Sequence, residues 1–242
     1  MKRWLRFTAA VLAAAFLFAL TGCGSSTNSA SFTWFVDSIP ANLDPQVASG
    51  ASDVIACENL YGTLVRKDPD GELVPGLCEK WTVSSDGLTY TFTLKDGLTY
   101  AAAKGAATEY DITAEDFVFA FRRIFHAETA SPYAVEFSAI QNSAAVLAGL
   151  ADESSLGVSA NGALTLVFRL SERDDNFLAK LAMPGAAPCD EAFFESTRGT
   201  YGLTAKTTLA SGSFYLYNWT ANGLFLRRTV ESPLVGSLRL VQ

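Results

Sequence analysis

The run Leu88-Thr-Tyr-Thr-Phe-Thr-Leu94 constrains this chain's fold more than any other stretch. Leu88, Tyr90, Phe92 and Leu94 alternate with Thr89, Thr91 and Thr93. Successive side chains of a strand point to opposite faces, so this spacing makes one apolar face and one hydroxyl face, and no helix sorts them that way. Ser85-Asp86-Gly87 stands before the run and Lys95-Asp96-Gly97 ends it. Both are turn signals, because Asp bonds its own backbone and Gly accepts a positive φ. A strand bounded so tightly finds its partners through hairpins.

Other segments fit the same scheme. Gly157 to Leu170 is predicted to fold back around Asn161-Gly162, with Leu164, Leu166, Phe168 and Leu170 alternating after the turn. Ser213 to Trp219 and Leu224 to Val230 form a second predicted pair around Asn222-Gly223. Ser31 to Val36 is a short aromatic strand, and Asp68-Pro69-Asp70-Gly71 and Pro75-Gly76 are further turns.

Helical spacing covers less of the chain. Asp53 to Leu64 is a predicted helix, with Val54, Cys57, Leu60 and Tyr61 on one face. Thr113 is a predicted N-cap, with Glu115 and Asp116 at the positive end of the dipole and Phe117, Ala120, Phe121 and Ile124 as the apolar stripe. Arg122 and Arg123 fall near the end of that helix and, like Arg227-Arg228, are read as solvated or helix-end charges. Ser131-Pro132 starts another helix. The class is mixed α/β. At 242 residues the chain holds one or two domains, and it contains no internal repeat.

The first thirty residues set topology. Lys2, Arg3 and Arg6 make a positive start, and Ala9 to Leu20 is an unbroken apolar run. That run is shorter than the ~20 residues a membrane-spanning helix needs, so it reads as a signal-peptide core. Leu20-Thr21-Gly22-Cys23 then resembles the bacterial lipobox. The resemblance implies cleavage after residue 22 and lipid on Cys23. Several acyl chains on one residue anchor a domain stably where one is marginal. Residues 23–30 would be the lipidated tether, small and polar in composition. The formal net charge is -7; three cations and no acid precede Cys23, so the part after it carries about -10. A surface that acidic repels phosphate backbones and argues against nucleic acid.

Chemical motifs are scarce. The chain has one histidine, His126, at a predicted helix end. No G-x-S-x-G, H-E-x-x-H, P-loop or G-x-G-x-x-G pattern occurs. Asp174-Asp175 reads as a solvated turn. Cys57, Cys78 and Cys189 are odd in number and lack zinc-site spacing; buried free thiols, one disulfide or a metal site remain the alternatives. An enzyme is not expected, and no cofactor is implied.

Several segments in order resemble one family. They are Asn42-Leu43-Asp44-Pro45, Glu58 to Val65, Leu73 to Trp81, Ser85 to Phe92, Thr113 to Val118 and Thr129 to Tyr133. Together they resemble the oligopeptide- and dipeptide-binding proteins of ABC importers, the family 5 extracellular solute-binding proteins. The resemblance implies a class II periplasmic-binding-protein-like lobe with an inserted α+β domain. Residues 31–62 would begin lobe I, 63–190 would be the insertion, and 191–242 would return to lobe I. A second lobe would follow residue 242, so the chain is expected to be truncated. Matching positions imply ligand contacts at Ser49, Gly50 and Ala51, where backbone meets peptide, and at Tyr133 and Met183. Two stretches depart from the pattern: Tyr100 to Asp111 lacks the usual Asp-Gly turn, and Ser211-Gly212-Ser213 replaces Asn-Gly-Pro.

The function expected is a lipid-anchored binding protein at the outer face of the cytoplasmic membrane. It would pass oligopeptides or dipeptides to an ABC permease and its ATPase subunits. The alternatives are the same family taking a nickel chelate, haem or a signalling peptide, or a truncated surface interaction domain.

Overall fold

A computed structural model describes residues 30–103, 107–229 and 235–242. In chain order the elements begin with β1 (Ala30–Phe35), α1 (Ala51–Leu60), β2 (Val65–Lys67), β3 (Leu73–Pro75) and β4 (Cys78–Val83). Next come β5 (Thr89–Leu94), β6 (Thr99–Ala102), β7 (Ala107–Asp111), α2 (Ala114–Phe125), α3 (Ser143–Leu147), β8 (Val158–Ala160) and β9 (Thr165–Arg169). The last are α4 (Phe177–Lys180), α5 (Glu191–Ser196), β10 (Leu209–Ala210), β11 (Phe214–Thr220), β12 (Gly223–Arg228) and β13 (Val235–Val241).

The alternating run sits at the centre of an antiparallel sheet ordered β4-β5-β9-β8. Tyr90, Phe92 and Leu94 are buried, and Phe92 stands opposite Leu166. Helix α2 lays Phe117, Phe121, Ile124 and Phe125 on that face. Phe168 is the hub of the packing: its ring meets Phe121 at 4.9 Å, Phe177 at 5.4 Å and Phe92 at 5.9 Å. Edge-to-face rings at such distances add to their buried area. The predicted cap forms, with the Asp116 carboxylate accepting from the Thr113 N–H at 2.8 Å.

A second sheet is ordered β1-β13-β12-β11, with β1 parallel to β13. Its inner face carries Leu216, Leu224, Leu226, Leu238 and Leu240, packed in one cluster with Ala56, Cys57 and Leu60 of α1. Strand β1 is an edge, and Phe32, Trp34 and Phe35 on it are 52%, 45% and 75% exposed. Smaller pieces are the hairpin β2-β3 and the sheet β10-β6-β7.

Tertiary contacts correct several local expectations. Helix α1 runs from Ala51 and stops at Leu60 instead of spanning Asp53 to Leu64. Beyond it the chain is extended because its backbone is taken elsewhere: Gly212 N–H donates to Leu60 O at 2.8 Å, and Leu77 N–H to Thr63 O at 2.8 Å. A Cβ on Gly62 would stand 2.9 Å from Ser211 O, so this approach needs glycine. Ser131-Pro132 starts only a 3₁₀ turn, Pro132–Ala134. The turn at Asn161-Gly162 takes four residues, closed by Asn161 N–H to Thr165 O at 2.8 Å, and the second hairpin turns at Ala221-Asn222, one residue early. Asp174 is not simply solvated but pairs with Lys180 at 2.8 Å. Arg123 does lie in the last turn of α2, one of the two readings of its charge, but it is buried and not solvated. Cys57, Cys78 and Cys189 are buried free thiols.

The predicted signal peptide and tether, Cys23 among them, lie outside the described residues, as do residues 104–106 and 230–234. Among the described residues, no helix is long and apolar enough to cross a membrane.

Candidate functional site

The segment Asn42-Leu43-Asp44-Pro45-Gln46 has few apolar side chains, yet residues 43 to 46 are buried. What holds them is a set of polar bonds from distant parts of the chain. Leu43 N–H donates to Gly202 O at 2.8 Å, and the Tyr61 hydroxyl donates to Leu43 O at 2.6 Å. Gly202, at φ 71°, lets its backbone approach so closely that a Cβ would stand 2.2 Å from Asp44 N.

Asp44 meets Arg123, which reaches back from the last turn of α2. Its Nη2 donates to Asp44 Oδ2, and its Nη1 donates to Asp44 Oδ1 at 3.2 Å and to Gln46 Oε1 at 2.6 Å. The ion-paired side chains are only 8% exposed. The guanidinium stacks on Phe194 at 4.1 Å and lies 5.3 Å from the Tyr201 ring. Its Nε makes no hydrogen bond, and the aromatic walls are what it faces. Burial works against the arginine charge, but Cys189 and Asp44 beside it raise its pKa above the ordinary value. Burial pushes the Cys189 thiol up to about 12, so it is an inert packing group.

From this knot the chain leads to the predicted ligand loop. Val47 and Ala48 N–H donate to Asp44 O at 3.1 and 2.9 Å, which forms a turn. Ser49, Gly50 and Ala51 follow, all exposed, and Gly50 is the extended N-cap of α1. The Tyr133 hydroxyl donates to Ala48 O at 3.2 Å. A Cβ on Gly185 would stand 2.4 Å from the Tyr133 ring, so the ring lies flat against that glycine. Met183, half-buried, caps the 3₁₀ turn Pro184–Ala186 that contains Gly185. Gln46 Nε2 ties the same turn to the loop, donating to Gly185 O at 3.2 Å and Ala187 O at 2.9 Å.

Of the five predicted contacts, Tyr133 bonds into this network, Ser49, Gly50 and Ala51 follow its 44–48 turn along the chain, and Met183 precedes the turn that contains Gly185. Tyr133 bridges the loop carrying Ser49, Gly50 and Ala51 to the turn that follows Met183. Two concavities of about 630 and 500 Å³ lie elsewhere: one is lined by Arg122, His126 and Glu153, the other by Pro40, Leu203 and Trp219. Neither is lined by any of the five. What the loop offers is three exposed residues, one of them a glycine, beside one half-buried aromatic ring; glycine permits close approach of a ligand's main chain.

The profile of the bacterial extracellular solute-binding proteins, family 5 (middle), matches residues 72–228. The chain belongs to this family.

As a family 5 solute-binding protein it is 32% identical over 185 residues to the probable deoxycholate-binding periplasmic protein YgiS of Escherichia coli, covering 76% of this chain and 33% of that one. It is 32% identical over 193 residues to the oligopeptide-binding protein SarA of Streptococcus gordonii, covering 78% and 29%. The crystal structure of the substrate-binding domain of a Bacillus anthracis oligopeptide ABC transporter superposes with a TM-score of 0.79 at 27% identity, covering 87% of this chain and 41% of that one. The chain thus spans about a third of the length of the curated relatives it matches. These relatives are binding proteins and not enzymes, in agreement with the sequence reading.

Sequence reasoning missed Arg123, Asp44 and Gln46 as partners. One signal was present: Asp116 and Arg123 lie seven residues apart, two helical turns, on the border of the same apolar stripe. A pair so placed is drawn inward with its helix.

Proposed function

We propose that this chain is the ligand-presenting part of a lipid-anchored, extracytoplasmic substrate-binding protein of an ABC importer that takes oligopeptides or dipeptides. The observation that carries the reading is the exposed segment Ser49-Gly50-Ala51, next to the Ala48 carbonyl that Tyr133 bonds, in a chain of family 5. An extended peptide adds to such a segment as a strand does, so main-chain bonds give affinity while side chains vary. Tyr133 supplies an apolar ring, and Met183 a flexible wall. Residues 31–62 and 191–242 would form lobe I, and 63–190 the inserted domain. Cys23 would carry the lipid, which keeps the protein near a permease and its ATPase subunits.

Import requires the ligand to favour a closed form, through contacts from two lobes on an open–closed equilibrium. The chain spans about a third of the length of its curated relatives, and on this reading the contacts named above come from one lobe, so affinity of these 242 residues for a free peptide is expected to be weaker than micromolar. Titration of the isotope-labelled chain with pooled di- to octapeptides, followed by nuclear magnetic resonance, reads even weak binding. Shifts confined to Ser49, Gly50, Ala51, Tyr133 and Met183 are expected. No shift at these five, or shifts there with a nickel chelate or haem and not with peptide, would sink the peptide reading.

A further inference from the structure

We propose that Arg123 is the positioning residue of the ligand loop, an inference that rests on reading Ser49, Gly50 and Ala51 as ligand contacts. Arg123 touches none of the three. It acts through Asp44 and Gln46, the residues that shape the turn leading to them.

The guanidinium fork sets both partners at once. Its two nitrogens hold both oxygens of Asp44, so the carboxylate cannot rotate freely. Asp44 Oδ1 in turn accepts from Gln46 N–H at 3.1 Å, and Asp44 O accepts from Val47 and Ala48 N–H. The turn 44–48 is therefore built on a carboxylate that Arg123 fixes. Nη1 also donates to Gln46 Oε1, which leaves the Gln46 amide nitrogen directed at Gly185 O and Ala187 O. That one amide orientation registers the loop against the turn beneath Tyr133. Ser131 Oγ donates to Gln46 O and so adds a bond from the residue that caps the Tyr133 turn.

The guanidinium is itself immobilised. It lies over Phe194 and beside Tyr201, and its Nη1 lies 3.5 Å from Cys189 Sγ. A lysine keeps the charge near Asp44. It has neither the planar fork that spans Asp44 and Gln46 nor the flat face that stacks on Phe194.

The test compares the native chain with Arg123→Lys by amide hydrogen exchange and by peptide titration. Exchange at Gln46, Val47 and Ala48 is expected to rise roughly tenfold or more in Arg123→Lys through local opening, while β5 and β9 amides hold their rates within about twofold. Peptide-induced shifts at Ser49, Gly50 and Ala51 are expected to need roughly tenfold more peptide in the variant. Unchanged exchange at residues 46 to 48 would overturn the proposal. So would a rise matched in β5 and β9, because it marks a general loss of stability. If the native chain shows no peptide shift, the ligand reading fails by itself, and the exchange data still decide whether Arg123 sets the loop. Arg123→Met, which leaves Asp44 buried without its partner, is the harsher variant and is expected to exceed Arg123→Lys at the same three amides.

Discussion

At the scale of single residues, two positions carry strain and charge that substitution exposes. Gly202 has φ 71° and brings its Cα against the Asp44 backbone, so a Cβ would meet Asp44 N at 2.2 Å and Leu43 C at 2.7 Å. Backbone cannot step aside as a side-chain tip can. Gly202→Ala is expected to cost at least ~2 kcal/mol, from the unfavourable φ and the clash together. A lower urea midpoint at unchanged slope would register it. Asp116 is the second position. Burial, then the nearby acids Asp190 and Glu115, push its carboxyl up to about 7, although the Thr113 N–H and Tyr100 work the other way. In the unfolded chain the same group titrates near 3.8. Between those values the folded state holds a proton that the unfolded state has released. The stability this group contributes is complete below pH 3.8 and is lost as pH rises through about 7. Asp116→Asn keeps an acceptor for Thr113 and removes the titration. Melting midpoints measured across that interval should fall less steeply in the variant, and an unchanged slope would contradict the assignment.

At the scale of elements, the larger core is held by α2 lying across β5 and β9. Phe168 on β9 joins four parts, meeting Phe92 on β5, Phe121 on α2 and Phe177 on α4. It is fully buried, and its neighbours are rings that cannot collapse into a gap. Phe168→Ala should therefore cost about 3–5 kcal/mol, at the upper end for such deletions. Chemical denaturation measures it; a cost below about 1.5 kcal/mol would mean that the rings repack. Helix α1 teaches a different lesson. Its apolar spacing continues past Leu60, yet Gly62 and Gly76 admit close backbone approach there, and the helix ends where those bonds begin. Backbone groups left unpaired in a buried place cost more than a turn of helix returns.

At the scale of the whole molecule, the two larger of three apolar clusters among the described residues meet at a buried ion pair, Asp44 with Arg123. The larger gathers residues from Leu64 to Leu209, and the smaller joins α1 to the sheet of β1, β13, β12 and β11. Asp44 belongs to the segment of the smaller cluster and Arg123 to the helix of the larger. Removing one member of a buried pair leaves the other charge uncompensated, which typically costs about 3–5 kcal/mol. Asp44→Asn should therefore lower the calorimetric melt of both clusters together. A scan in which only one of two transitions moves would show that the pair serves a single cluster.

Much of this was legible in order along the chain. Period-two spacing set β5 and β9 because strand geometry depends only on neighbours in sequence, and Gly71, Gly87, Gly97 and Gly162 all take the positive φ that their turn signals required. The Thr113 cap and its apolar stripe are equally local, as are the motifs that placed the chain in its family. The buried state of Arg123, the end of α1 at Leu60 and the bond from Tyr133 to Ala48 were not legible. Each depends on groups far apart in sequence, Arg123 and Asp44 by 79 residues and Tyr133 and Ala48 by 85. Side-chain pattern reports which face of an element is apolar. It does not report which distant backbone will arrive there, and for the ligand loop that arrival decides the geometry.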